Sequence, residues 1–245
     1  MKLISLNILG GHNTKELLLF IRRNTDVDIF CFQEVFDKGI CTRPEMEGSN
    51  MNIFSEIACG LKGYKGYFAP HQDNEEGLSI FVKNVFNIEE YNDVFVHRDK
   101  NAMINNHGEE LGRNIQHIML KYKGKKINII NFHGLWSKLG KVDTTERELQ
   151  SIKILDFLKI LRGEVILCGD FNLMPDTYSI KLFRDYGLRD LIKKFKITST
   201  RSSMYKGEVK YADYIFCSEG LVIKNFKVFS DEVSDHLPLY LEFSV

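Results

Sequence analysis

The 245-residue chain carries 33 basic and 33 acidic side chains, so its formal charge is zero and its pI is about 7.0. Hydrophobic residues at 44% and charged residues at 27% describe a folded chain with a sizeable core, which excludes a disordered one. The balanced charge also excludes a protein whose main task is to coat nucleic acid. That task needs basic excess to neutralise phosphates, although a local basic rim around one site remains compatible.

Taken in chain order, residues 3–6 form an apolar run that reads as a buried strand. A helix follows over 15–23, with Asn13 or Thr14 as its cap. Residues 28–33 read as a strand, 52–61 as a helix and 78–82 as a strand. Residues 114–122 alternate in polarity and 127–132 are apolar almost throughout. The lysines Lys121, Lys123, Lys125 and Lys126 flank Gly124 between those two runs, as in a solvated hairpin turn. The longest helix is read over 144–161, with Ile152, Leu155, Leu158 and Leu161 on one face. Residues 165–168 follow as a strand, 178–186 as a helix, 214–217 as a strand, and 222–229 and 239–243 as alternating strands. Strands dominate, and no linker or repeat divides the chain. One domain over 1–245 is expected, an α/β sandwich of two packed sheets with outer helices.

Five cysteines, an odd number without a Cys-x-x-Cys pair, read as free thiols of a reducing compartment, with Cys31, Cys168 and Cys217 inside apolar runs. The first apolar stretch breaks at Asn7 and fits no secretory signal, and no run approaches the ~20 residues of a membrane helix. The expected location is the cytoplasm.

The informative pattern lies at the ends of the apolar runs. Asn7 follows the first, Gln33-Glu34 the second, His133 closes the run at 127–132, and Gly169-Asp170-Phe171-Asn172 closes the one at 165–168. Ser234-Asp235-His236-Leu237-Pro238 precedes the last strand. Any one of these has an ordinary structural reading as a cap, a turn or a satisfied histidine. Buried charges are costly unless paired or on a metal, so their recurrence points to one polar site at a sheet edge.

Six segments, in this order, carry a resemblance: Ser5-Leu6-Asn7, Phe32-Gln33-Glu34-Val35, Asn131-Phe132-His133, Gly169-Asp170-Phe171-Asn172, Ala212-Asp213-Tyr214-Ile215-Phe216 and Ser234-Asp235-His236-Leu237-Pro238. The chain resembles the endonuclease/exonuclease/phosphatase superfamily over essentially its whole length. That resemblance implies a four-layer α/β sandwich with two central, mostly antiparallel sheets. It also implies divalent-metal-dependent hydrolysis of a phosphoester. By the same resemblance, Glu34 is the main ligand for Mg²⁺ or Mn²⁺, helped by Asp235 and the amide of Asn7. His236 contacts the scissile phosphate, Asp213 orients His236, Asp170 positions or deprotonates the attacking water, and Asn172 donates to the phosphate. Electrostatics independently favours a cation there. Two unit charges about 5 Å apart repel by roughly 3 kcal/mol at an effective dielectric near 20, and four carboxylates are expected to converge.

Abasic-site endonucleases of the superfamily have lysine after the glutamate, tyrosine at the position of His133 and tryptophan shortly before Asp213. This chain has Val35, His133 and its one tryptophan at Trp136. It is closer to the deoxyribonuclease, neutral sphingomyelinase and deadenylase branches, in which the His133 position is a second catalytic histidine and the Glu76 position pairs with it. Arg113, Trp136, Lys138, Lys141, Arg147 and Arg201 are candidates for a substrate rim, and residues 36–50 for a loop beside Glu34. The function expected is a Mg²⁺-dependent phosphodiesterase, a nuclease on DNA or RNA, working as a monomer. The alternative is a phosphoesterase for a small or lipid substrate, such as a sphingomyelin-like or inositol phosphate.

Overall fold

The computed structural model describes residues 1–41, 47–72, 76–100 and 112–245. In chain order its elements are β1 (Lys2–Asn7), α1 (Thr14–Arg23), β2 (Ile29–Phe36), α2 (Ile53–Gly60), β3 (Tyr64–Pro70) and β4 (Glu76–Lys83). There follow β5 (Ile88–His97), β6 (Arg113–Tyr122), β7 (Lys125–His133), α3 (Thr145–Ile160), β8 (Glu164–Asp170) and α4 (Tyr178–Asp185). The chain closes with β9 (Arg189–Asp190), α5 (Leu191–Lys194), β10 (Asp213–Cys217), β11 (Val222–Val228) and β12 (Leu239–Ser244). A 3-10 turn, Leu9–Gly11, links β1 to α1.

The strands form two six-stranded sheets, in the orders β11-β12-β1-β2-β4-β3 and β5-β6-β7-β8-β10-β9. Among the described residues only the central pairs β1–β2 and β7–β8 are parallel, and the other pairs are antiparallel. The period of two along a strand builds the layers. Leu3, Ile29, Cys31, Ile80 and Val82 point into a core shared with Ile129, Ile166 and Cys168 of the second sheet. Their alternates Ile4, Leu6, Phe30, Phe32 and Phe81 point the other way, against Leu17, Phe20 and Ile21 of α1 and Ile53 and Ile57 of α2. The outer face of the second sheet is covered by Ile154, Leu155 and Leu158 of α3 and Ile180 and Phe183 of α4. Each such side chain contributes about 1.5–3 kcal/mol relative to exposure, so both faces of both sheets are driven inward. The result is the four-layer α/β sandwich expected.

Several local expectations change. The buried face of α3 runs through Ser151, Ile154, Leu155 and Leu158, while Ile152 lies 42% exposed. Neither Asn13 nor Thr14 caps α1 through its side chain; Thr14 Oγ1 instead donates back to Gly11 O at 2.6 Å. The strand read over 114–122 does not alternate, because Asn114, Gln116 and His117 are buried between layers and hydrogen-bonded there. The hairpin at Lys123-Gly124 is as expected, with both residues at positive φ, the geometry of a two-residue turn. The three cysteines in apolar runs are buried free thiols. Among the described residues, no helix is long and apolar enough to cross a membrane.

Candidate active site

Sheet register gathers the polar strand ends. β1 and β2 run parallel, so Asn7 lies beside Gln33, just before Glu34. β7 and β8 run parallel, so His133 lies beside Asp170. β10 runs antiparallel to β8, which brings its first residue, Asp213, beside Asp170. β12 runs antiparallel to β1 with Leu239 opposite Ser5, so the segment carrying Asp235 and His236 arrives at the same edge. Two side chains lock this edge: Gln33 Nε2 donates to Asn131 Oδ1 across the sheets at 2.6 Å, and Asn131 Nδ2 donates to Phe32 O at 2.9 Å.

Local backbone aims the acids. Glu34 lies inside β2, where the pairing to β4 slips between Phe32 and Val35, and its φ is +55°. A bulge of this kind turns one side chain out of the alternation. Gly169 has φ +139°, and a Cβ there would lie 1.9 Å from Phe132 O, so only glycine fits. Phe171 is buried among Phe132, Phe183, Tyr214 and Phe216 with ring centroids 5.1–5.5 Å away. That anchor leaves Asp170 and Asn172 projecting on either side.

The side chains meet closely. Asn7 Nδ2 donates to Glu34 Oε1 at 2.7 Å and to Asp170 Oδ2 at 3.1 Å, while its oxygen accepts from Leu9 N. His236 Nδ1 lies 2.8 Å from Asp213 Oδ1, and its Nε2 lies 3.5 Å from Asp170 Oδ2 and 3.8 Å from Asp235 Oδ1. Thr200 Oγ1 donates to Asp213 Oδ2 at 2.8 Å, steadying the carboxylate that steadies the ring. His133 Nε2 lies 3.8 Å from Glu34 Oε1 and 3.9 Å from Asp170 Oδ2.

Charge follows this packing. Burial, and then the nearby Glu76 carboxylate, push Glu34 up to about 7. Burial opposes ionisation of Asp170, but Lys141, His236, His133 and Arg201 outweigh it and hold the carboxyl below the usual range. Burial depresses His236, yet Asp213 and Asp170 more than compensate and raise it. Burial and Arg113 lower His133 to about 4, so its ring is neutral. A divalent cation fits this donor set. The ligand atoms of Glu34, His133 and Asp170 lie within 4.8 Å of one another, as do those of Asp170, Asp213 and His236. Carboxylates dominate, as magnesium and manganese prefer, and among the described residues no lysine or arginine pairs directly with Glu34.

The expected rim residues divide. Arg113 is buried, with Nη1 3.3 Å from Glu76 Oε1 and 3.4 Å from His133 Nδ1, so it stands between the two groups expected to pair. Arg201 is half-buried, with its side chain turned inward and 6% exposed; it bonds Asp235 Oδ2 at 2.7 Å and contacts His236 Nε2. Lys141 reaches inward to Asn172 Oδ1 at 2.9 Å, and burial lowers its pKa. Arg147 serves the loop before α3, donating to the carbonyls of Leu135, Gly140 and Val142. Trp136 is 47% exposed and Lys138 lies beside it in the chain. The loop expected over 36–50 falls partly outside the described residues, at 42–46. Sequence reasoning missed His71, whose Nδ1 meets Asn114 Oδ1 and whose ring lies 5.8 Å from that of His133. It directly follows β3, whose half-exposed side chains make no apolar run to mark the strand in the sequence.

The sequence profile of the Endonuclease/Exonuclease/phosphatase family matches residues 4–236. No curated protein sequence gives a significant match. Solved structures do. A mannosyl-6-phosphatase of Bacteroides thetaiotaomicron is 18% identical with a TM-score of 0.78, each chain covered completely. The human Nocturnin catalytic domain with bound sulfate is 20% identical, TM-score 0.66, covering 100% of this chain and 93% of that one. D. rerio TDP2 complexed with single-strand DNA product is 16% identical, TM-score 0.73, covering 100% and 99%. At these identities the likeness is one of fold.

Proposed function

The chain belongs to the endonuclease/exonuclease/phosphatase family, and from that premise we propose that it is a divalent-metal-dependent phosphodiesterase acting on nucleic acid. One observation carries the reading: Glu34, Asp170, Asp213, Asp235, His133 and His236 converge at one edge from five separate segments. Glu34 and Asp235 are the ligands proposed for Mg²⁺ or Mn²⁺. Asn7 holds Glu34 and Asp170 through its amide nitrogen and turns its oxygen only if it gives up Leu9 N. The bound ion supplies charge neutralisation for the phosphoryl and leaving oxygens.

The chain's own groups supply the rest. Asp213 fixes the imidazole with Nδ1–H toward itself, which leaves Nε2 of His236 to meet a phosphoryl oxygen. Asp170, held ionised, is a weak base but a strong acceptor, so it orients the attacking water. His133 is neutral; with Nδ1 facing the Arg113 guanidinium, its Nε2–H points toward Glu34 and Asp170 and donates to the phosphate between them. Asn172 holds Lys141 at the same phosphate. Exposed Trp136 offers a stacking surface for a base.

A second reading, a small or lipid-like phosphoester, has its own observation. The loop between His133 and α3 exposes Leu139 and Val142 beside Trp136, at 71%, 48% and 47%. Its inward lysine, Lys141, serves the reacting phosphate rather than a chain of phosphates. The fold shared with a sugar phosphatase is compatible with either substrate.

The test is calorimetric. Mg²⁺ or Mn²⁺ at a hundredfold excess over its dissociation constant should stabilise the fold by about 2.7 kcal/mol. Glu34→Gln should abolish most of that gain and the hydrolysis of a plain phosphodiester. Unchanged metal affinity in this variant overturns the site.

A further inference from the structure

Arg201 is placed where two other groups must act. Its Nη1 donates to Asp235 Oδ2 at 2.7 Å and also contacts His236 Nε2. While that contact stands, the guanidinium occupies the place at Nε2 that a phosphoryl oxygen would take. Asp235 likewise spends one oxygen on the same nitrogen. The guanidinium is held from the main chain: Arg201 bridges His236, Ser202 N donates to Asp235 O, and Leu237 N donates to Thr200 O. Its plane lies over the Tyr205 ring, 4.2 Å from the centroid, and its side chain is only 6% exposed. Its Nε is buried with no partner. A desolvated guanidinium bonded along one edge, with a second donor unfilled, lacks a planar or tetrahedral oxyanion.

We infer that Arg201 is a phosphate-binding residue exchanged between two partners: a divalent ion takes Asp235, and the released guanidinium engages the substrate phosphate together with His236. The inference rests on the metal-dependent reading above and adds a coupling to it. The ion and the arginine compete for Asp235, whereas the ion and the phosphate cooperate through Arg201. By linkage, each of the two ligands must tighten the other by the same factor. The groups exchanged are all this chain's own; no bond is made or broken.

The experiment titrates the full chain, freed of metal by chelation, with Mn²⁺, with inorganic phosphate, and with each in the presence of the other. In the wild type, phosphate should bind at least about fivefold more tightly with Mn²⁺ saturating than without it. In Arg201→Met, Mn²⁺ alone should bind at least about twofold more tightly, because its competitor for Asp235 is gone, and the coupling should fall at least about fivefold. Arg201→Lys retains the charge but not the fork. Its Mn²⁺ affinity should stay near the wild-type value while phosphate weakens, which separates the exchange from a diffuse charge effect. Thermal melting confirms that each variant is folded, and the lysine variant alone suffices if the methionine variant is not. Retention of the wild-type coupling factor in Arg201→Met, weaker Mn²⁺ binding in Arg201→Met, or undiminished phosphate affinity in Arg201→Lys overturns the exchange. A wild type that binds neither Mn²⁺ nor Mg²⁺ overturns the metal-dependent reading itself.

Discussion

Gln33 and Asn131, 98 residues apart in the chain, join the two sheets directly beneath the candidate site: Gln33 Nε2 donates to Asn131 Oδ1 at 2.6 Å. Asn131 completes the link by donating to the carbonyls of Phe32 and Ser79 at 2.9 and 3.1 Å. Both side chains are fully buried. Gln33 immediately precedes Glu34, and Asn131 lies two residues before His133. The bond therefore sets the distance between a carboxylate on one sheet and an imidazole on the other, which an apolar contact of similar volume would leave free to slide.

Asn131→Leu should expose this dependence. It removes one acceptor and two donated bonds and leaves buried groups unpaired, so a loss of about 2–4 kcal/mol is expected. For a chain of this size that corresponds to roughly 5–15 °C in Tm. Gln33→Leu combined with Asn131→Leu should cost less than the two single changes together, because the double variant leaves fewer orphaned groups. Additive losses would show that the pair is not a unit.

Much of this was legible in the sequence, and the gaps have physical causes. Buried central strands such as β2, β7 and β8 announce themselves because both faces are apolar. β3, β5 and β9 were not read; all three lie at or next to solvent as sheet edges or a two-residue pair, and their side chains are largely half-exposed. The acids and histidines of the site were readable because they stand at or near the ends of apolar runs in the sequence. The bulge that puts Glu34 inside β2 was not, because no residue type demands it. Arg113 and Arg201 looked like rim cations; their burial is decided by carboxylates from distant segments, Glu76 and Asp235.

His236 and Asp213 should act as one unit. If Nε2 stabilises charge on the phosphoryl group, His236→Ala should lower kcat at least ~10²-fold with the fold intact. Asp213→Asn should lower it as well, because an amide can present its N–H to Nδ1 and reverse the ring's donor and acceptor sides. Combining the two should add little beyond His236→Ala alone, since members of one catalytic unit are not additive. Near-normal turnover in both single variants would refute the assignment.

Acid should weaken the fold through a histidine far from the site. His117 is buried and neutral: Asn92 Nδ2 meets its Nδ1 and its Nε2 meets Asn128 Oδ1, both at 3.0 Å, and burial lowers its pKa. The unfolded chain takes up a proton at this residue below about pH 6.5, and the folded chain resists it. The contribution is therefore fully present above that pH and is lost as pH falls toward the folded pKa. Its slope is at most about 1.4 kcal/mol per pH unit. Glu34 acts in the opposite sense, since its raised pKa favours the folded form as pH falls through 7. The total slope mixes both, so the comparison must be between proteins. His117→Gln, which keeps a donor and an acceptor, should lose less stability than the wild type between pH 7 and pH 5 in chelator. Parallel stability curves would place the proton elsewhere.

Substrate length and salt separate the two substrate readings. Arg113, Arg201 and Lys141 are all turned toward the reacting centre, so few cations remain to track a backbone. A single-stranded substrate neutralised at one or two phosphates should show a log–log salt slope of about −0.7 to −1.4 at fixed Mg²⁺, shallow for a nuclease. Binding is best measured on Asp170→Asn, which should slow turnover during the titration. With nucleic acid as the substrate, a twelve-mer should bind more tightly than a dinucleotide, and Trp136→Ala should weaken the twelve-mer by about 1–3 kcal/mol through lost stacking. A slope steeper than about −3 would demand a basic groove that these side chains do not form. If affinity is the same for both lengths and rises when the ester carries an apolar group, the surface formed by Trp136, Leu139 and Val142 is holding the leaving group. The small or lipid-like phosphoester then replaces nucleic acid as the substrate, with the same phosphate held by the same residues.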